Sequence, residues 1–374
     1  MEFLSFFWDY IILFLVVLTI LVFVHELGHY LVARRNGVLV EVFSIGFGPE
    51  IYGWNDKAGT RWKIGVFPLG GYVKMFGDSD TVEEDEEERP LTPEEQTVSF
   101  HHKRLGQRAA IVLAGPVFNF IFAIVVIAAL FSTAGNPVTL SAVGEVQPGS
   151  AAAEAGLQVG DRIIAIDGEG ITSFEDLRGI ISVNPEVDLE LLIVRDNSEL
   201  TIRATPKRHV AGDNEAIGLL GVRPDLQQIG YERQNPLKAS WMAVEWTASM
   251  VGRILSYLGQ VIVGERGTDE LGGPLRIAQM SGQMAQGGLI NLISFMAALS
   301  INLGLINLFP IPMLDGGHLI FYAAEALRGR PLGPRAQEYG FRFGLVLVLL
   351  LMILATWNDL VQLRVFEYIK DLVT

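Results

Sequence analysis

The chain has 374 residues, half of them hydrophobic and 19% charged, with a mean hydropathy of +0.36 and a net charge of −14. It contains no cysteine, which excludes disulfides and thiolate metal ligands and leaves His, Asp and Glu to hold any metal. The acidic balance, with no basic stretch interleaved with aromatics, argues against a nucleic-acid partner.

So much apolar residue beside that much charge implies segregation into membrane spans, loops and a soluble module. About 20 mostly apolar residues cross a bilayer, and the run from Tyr10 to Val24 predicts a first span over about 8–33. Met1 to Tyr10 carries no basic residue and no small-residue cleavage site follows, so this span is expected to be retained rather than removed as a signal peptide. In its second half lies His25-Glu26-Leu27-Gly28-His29. Residues i and i+4 share a helix face, so His25 and His29 can hold one zinc ion, and Glu26 can act as general base on its water. Set in a span, the motif points to hydrolysis within or at the edge of a bilayer.

Residues 38–77 alternate in part (Trp62, Ile64, Val66) and are rich in glycine, which predicts a β-hairpin region. Residues 78–95 hold ten acidic side chains against the single Arg89 and read as a solvated loop. A second span is predicted over about 109–131, interrupted by Gly115-Pro116 and Asn119. Residues 137–226 change to short strands and turns, with a helix over Ala151–Ala155, another over Phe174 to Ile181, and paired strands at Asp188–Arg195 and Leu200–Ala204. Gly156-Leu157-Gln158-Val159-Gly160-Asp161-Arg162-Ile163 resembles the core of a PDZ domain. Such domains take a peptide as an added strand. Gly218, Leu219, Leu220 and Gly221 resemble the PDZ carboxylate-binding loop, at the end of the module as in circularly permuted bacterial versions. An interior strand without a ligand is the alternative, as is a module that only screens substrates by size.

The C-terminal membrane part, 227–374, is predicted to begin with an interfacial amphipathic helix over about 236–263, which contains Glu245 and Arg253. Spans follow over about 289–309 and 341–357, the last short enough for Arg342 to snorkel. Between them, Asn307-Leu308-Phe309-Pro310-Ile311-Pro312-Met313-Leu314-Asp315-Gly316-Gly317-His318 places a carboxylate at a span end, where it is costly unless paired or on a metal. Asp315 is the candidate third ligand; capping the next helix is the other reading. Arg34, Arg35, Lys103, Arg104, Arg108, Arg328, Arg330 and Arg335 all flank the loops between spans one and two and between three and four. Those loops are therefore expected to be cytoplasmic, with the zinc site toward that side and 137–226 and both termini outside.

Taken together, these motifs resemble the site-2 protease family of intramembrane zinc metalloproteases, in its RseP-like bacterial branch, along nearly the whole chain. The resemblance implies a multi-pass α-helical membrane protein of about four spans, with a membrane-associated β-hairpin region and one inserted α+β PDZ domain. It implies His25, His29 and Asp315 as ligands of one Zn2+ per chain, Glu26 as catalytic base, and Asn307 beside the metal holding substrate backbone. It further implies that Gly46, Gly48, Gly70, Gly71 and Tyr72 help form a strand edge for an unwound substrate. A plain cytoplasmic hairpin is the alternative. Implied partners are membrane lipid and single-span proteins of the bacterial inner membrane, anti-sigma factors or remnant signal peptides, already trimmed outside. The best-known enterobacterial relatives carry two tandem PDZ domains; this chain has room for one. His318 reads as a supporting or structural histidine. A scaffold with structural histidines and a metal-ion transporter are the rival readings, and a metal-free chain would favour the scaffold.

Overall fold

The computed structural model describes residues 7–78, 91–210, 216–267 and 272–362; most of the acidic loop, 79–90, lies outside them. Contacts divide the chain into two compact units, residues 1–129 with 237–374, and residues 130–236.

The first unit begins with a helical turn, Phe7–Ile12, running into α1, Leu13–Arg35. Arg34 and Arg35 lie in the last turn of α1, where cations suit the helix dipole, and Gly37 at φ 70 turns the chain away. Two long strands follow, β1 (Val40–Asn55) and β2 (Arg61–Met75). Their register departs from a plain hairpin. Residues 50–55 pair with 61–65, while 42–45 pair with 61–64 on one side and 71–74 on the other. The two strands thus fold back into four segments in the order 50–55, 61–65, 42–45, 71–75. The corner falls at Gly46, whose φ of 88 favours glycine and whose Cβ would stand 2.8 Å from Phe67 O. Phe43 anchors the sheet to α1, with its ring 5.7 Å from Phe23, 5.6 Å from Tyr30 and 4.2 Å from Trp62. The turn is pinned to the same helix, as Asp56 accepts from Tyr30 OH at 2.8 Å and Trp62 Nε1 at 3.1 Å. After a short capped helix, α2 (Pro93–Val98), comes α3, Leu105–Thr133.

The second unit contains the last turn of α3 and an α+β module. Strands β3 (Asn136–Thr139), β4 (Val143–Val146), β5 (Arg162–Ile166) and β6 (Glu169–Gly170) alternate with helices α4 (Ala151–Glu154) and α5 (Phe174–Val183). Then come β7 (Leu189–Arg195), β8 (Ser198–Ala204), β9 (Lys207–Val210), β10 (Ala216–Leu219), β11 (Val222–Pro224) and β12 (Ile229–Glu232). The main sheet has the order β6-β5-β7-β8, while β4 pairs with β11, β9 with β10 and β3 with β12. Ser173 and Asp176 close a capping box on α5, whose Leu177 and Ile181 join Ile163, Leu191 and Ile193 in the core. This is the inserted PDZ-like α+β module.

Asp161 in this module is 1% exposed and takes both Arg195 Nε and Nη2 at 2.7 Å, and Gln158 N–H at 2.7 Å. Burial alone would raise its pKa; the Arg195 hydrogen bonds, the Gln158 N–H and the guanidinium charge overcome that and hold it below the ordinary range. Its stabilisation is therefore present above the unfolded-state value of about 3.9 and is lost as pH falls through the lower folded value. Replacing Arg195 with Met is expected to cost this unit about 2–3 kcal/mol at pH 7. Hydrogen exchange of β5 and β7 amides in the full-length protein should then quicken about 30- to 150-fold. Unchanged exchange would show that the pair adds nothing.

The first unit resumes with α6 (Pro236–Val263), α7 (Pro274–Gln286), α8 (Leu289–Asn307), α9 (Asp315–Arg328) and α10 (Pro334–Gln362). Among the described residues, Tyr10–Arg35, Leu105–Thr133, Leu289–Asn307 and Arg335–Gln362 are long and apolar enough to cross a membrane. The fourth starts before the expected 341 because Arg335, Ala336, Gln337 and Glu338 are good helix formers, and hydropathy marks the bilayer rather than the helix end. Helix α7 was not expected. Its N-terminus is held by the buried Asp359 of α10, which accepts from the N–H groups of Gly273, Leu275 and Arg276 at 2.8–3.1 Å.

Candidate metal centre

Helix α1 turns His25 and His29 to one buried face. That face meets α3 closely: a Cβ on Gly28 would stand 2.4 Å from Ala114 O, and a Cβ on Gly115 2.3 Å from His29 Nε2 and 2.8 Å from His25 Cε1. The third member arrives from α9. After Pro310 and Pro312, Met313 takes φ 89 and Asp315 opens the helix. Gly316 and Gly317 allow this tight approach, since a Cβ on either would lie 2.2–2.5 Å from the carbonyls of Phe309 and Ile311.

His25 Nε2 lies 3.2 Å from His29 Nε2 and 3.1 Å from Asp315 Oδ2, and His29 Nε2 lies 3.6 Å from Asp315 Oδ1. A tetrahedral zinc with arms of about 2.0–2.1 Å has its ligand atoms about 3.3–3.4 Å apart, so the donor set fits. Two further observations agree. Asp315 Oδ2 is buried without a hydrogen bond, and His29 Nδ1 lies 2.9 Å from Ile111 O, which directs the ring's proton there and leaves Nε2 its lone pair. His25, His29 and Asp315 thus form a cluster able to chelate a metal ion.

Glu26 stands outside this triad but lines the same cavity of about 400 Å³ as His29, Asp315 and His318. Val73 and Met75, from the outer segment of the four-part sheet, form another wall. A Cβ on Gly71 would lie 3.4 Å from Glu26 Cγ, so this segment runs directly past the glutamate. Arg108 of α3 meets Glu325 of α9 at 2.5 Å with both side chains largely buried, tying the helix of Asp315 to α3.

The other residues singled out in the sequence are spread wider. Gly70 packs against the Phe47 ring, and Tyr72 stacks on it at 6.2 Å. Gly46 is buried at the sheet corner and Gly48 is exposed beside it. Asn307 is the half-buried last residue of α8. His318, one turn along α9 from Asp315, has its ring 5.4 Å from that of Phe341. Gly218 and Leu219 lie in β10, Leu220 is in the core, and Gly221 makes a turn at φ 80. Gly115 and Asn119 interrupt the second span, and the sequence alone gives neither a role. Asn119, fully buried, has its amide nitrogen 3.1 Å from His25 Nδ1. A small residue and an amide within an apolar span were the available signal.

A family model described as Peptidase family M50 matches residues 13–351. A zinc metalloprotease homologue of Rhizobium meliloti (strain 1021) is 45% identical over 355 residues, covering 93% of this chain and 95% of its own length. Metalloprotease MmpA of Caulobacter vibrioides is 38% identical, over 96% of this chain and 97% of its own. Regulator of sigma-E protease RseP of Escherichia coli (strain K12) is 34% identical over an alignment of 460 positions, covering 96% of this chain and all of the relative.

Proposed function

The chain belongs to peptidase family M50 and is an intramembrane zinc metalloprotease acting on membrane proteins; on that premise we propose that it cuts the spanning segment of single-span proteins already shortened outside the membrane. Anti-sigma factors and remnant signal peptides are the substrate types, and the name of the Escherichia coli relative, regulator of sigma-E protease, favours the first. One Zn2+ per chain binds His25, His29 and Asp315. The observation that carries the reading is the convergence of Asp315 on His25 and His29, two buried residues of a helix apolar enough to cross a membrane.

When bound, zinc supplies the Lewis acid that makes water nucleophilic near neutral pH and polarises the scissile carbonyl. Glu26 takes the proton of the attacking water on its carboxylate and delivers it to the leaving amide nitrogen, so that water and one peptide bond become an acid and an amine. The substrate must first be unwound, because a helix hides its own peptide bonds. The outer sheet segment, with Gly70, Gly71 and Tyr72, offers an edge for the extended chain, and its passage beside Glu26 supports this. Gly46 and Gly48 shape the corner behind that edge, and Asn307 holds substrate backbone. The Lys and Arg residues flanking the inter-span loops support an inner-membrane orientation with the zinc toward the cytoplasm and the PDZ-like module and both termini outside. Helix α6, exposing Leu237, Trp241 and Ile262, lies along the membrane surface. The PDZ-like module rejects substrates that keep bulky external domains, and a peptide at Gly218–Gly221 is its candidate ligand.

The purified protein in detergent is expected to hold about one zinc per chain and to cleave a model single-span substrate. Asp315→Ala should lose both zinc and cleavage. A wild type without zinc would overturn the reading, and an Asp315→Ala protein that keeps zinc and cleaves would overturn the ligand assignment.

A further inference from the structure

The two histidines are supported differently. His29 Nδ1 faces a backbone carbonyl, Ile111 O, which only accepts. His25 Nδ1 faces the side-chain amide of Asn119, which can accept or donate. As placed, the amide nitrogen is toward the ring and Oδ1 is buried without a partner. An N–H pointing at Nδ1 requires a lone pair there, which puts the ring proton on Nε2, the atom that faces Asp315 and His29. That tautomer cannot give Nε2 to a metal. A metal on Nε2 requires Nδ1–H, and Nδ1–H requires an acceptor.

Everything around the amide is held. Asn119 O accepts from Ser300 Oγ at 2.9 Å, and Gly304 lies against Pro116 O and the Asn119 Cβ. Half a revolution about Cβ–Cγ brings Oδ1 to where Nδ2 stands. It exchanges one unpartnered atom for another, so the amide has little preference of its own.

Resting on the reading of His25 as a metal ligand, we propose that Asn119 is a positioning residue that sets the tautomer of His25. Its amide oxygen, turned to Nδ1, accepts from Nδ1–H and so leaves the Nε2 lone pair for the metal. Partners of this kind around a metal-bound histidine change affinity by about 10–100-fold when removed.

The test is zinc affinity, by competition with a chelator, for the full-length protein in detergent as wild type, Asn119→Leu and Asn119→Asp. The Leu form should bind about 10–100-fold more weakly. The Asp form, whose carboxylate only accepts, should match or exceed wild type. A Leu form that binds as wild type does overturns the proposal, as does an Asp form as weak as the Leu form, which would make the role one of packing. Should the Leu form fail to fold, the Asp form decides alone: zinc binding at or above the wild-type level supports the acceptor role, and weaker binding overturns it. A wild type that holds no zinc would instead defeat the reading of the site itself.

Discussion

Glu26→Gln is expected to keep its zinc and lose cleavage by about 100- to 10,000-fold, the range a positioned general base contributes. Glutamine has the size and shape of glutamate but cannot take a proton from water at neutral pH. Glu26 is not among the three converging donors, so metal content should equal that of wild type. It does line the cavity that holds His29 and Asp315, and the outer sheet segment passes beside it. Zinc analysis and cleavage of a single-span substrate, run on both proteins, separate the two roles. Cleavage at the wild-type rate would mean that another group takes the proton, and His318 in the same cavity would be the next to replace. Loss of zinc with loss of cleavage would mean that Glu26 supports the metal rather than the water.

Gly115→Ala should remove zinc binding and cleavage together. In an isolated helix this change is favourable by about 1 kcal/mol, because alanine is the better helix former. Here the added carbon would meet His29 Nε2 at 2.3 Å and His25 Cε1 at 2.8 Å, and neither ring can retreat without leaving the donor set. Gly106, in the same helix α3, has nothing within 4 Å of its would-be Cβ. Gly106→Ala is therefore the control and should retain zinc and full activity. If Gly115→Ala binds zinc as wild type does, the close contact of α3 with the two rings is not what shapes the site.

The features legible in the sequence are those whose physics is local. His25 and His29 share a face because an α-helix repeats every 3.6 residues, whatever surrounds it. Long apolar stretches announce spans because the bilayer sets their length. Asp315 stood out as a carboxylate where solvation is poor. The less legible features are contacts between distant segments. Ile111 O lies 82 residues from His29, Asn119 lies 94 from His25, and Arg108 and Glu325 are 217 apart. An amide within an apolar span, as at Asn119, shows that a partner is needed, but nothing near either member of these pairs says which partner it is. The double pairing of residues 42–45 was also hidden, because alternation predicts a strand but not how many neighbours it acquires.

By itself, then, the sequence determined the membrane class, the α+β insertion and the residue types able to hold a metal and move a proton. Those follow from hydropathy, helix periodicity and side-chain chemistry, which act over a few residues. Tertiary structure decided that Asp315 comes within 3.1 Å of His25, that α3 supplies the contacts behind both rings, and that a sheet segment passes Glu26. Those depend on how closely helices can approach, which glycines at 28, 115, 316 and 317 permit. The reason is steric: a missing Cβ matters only once another segment has arrived to occupy its space.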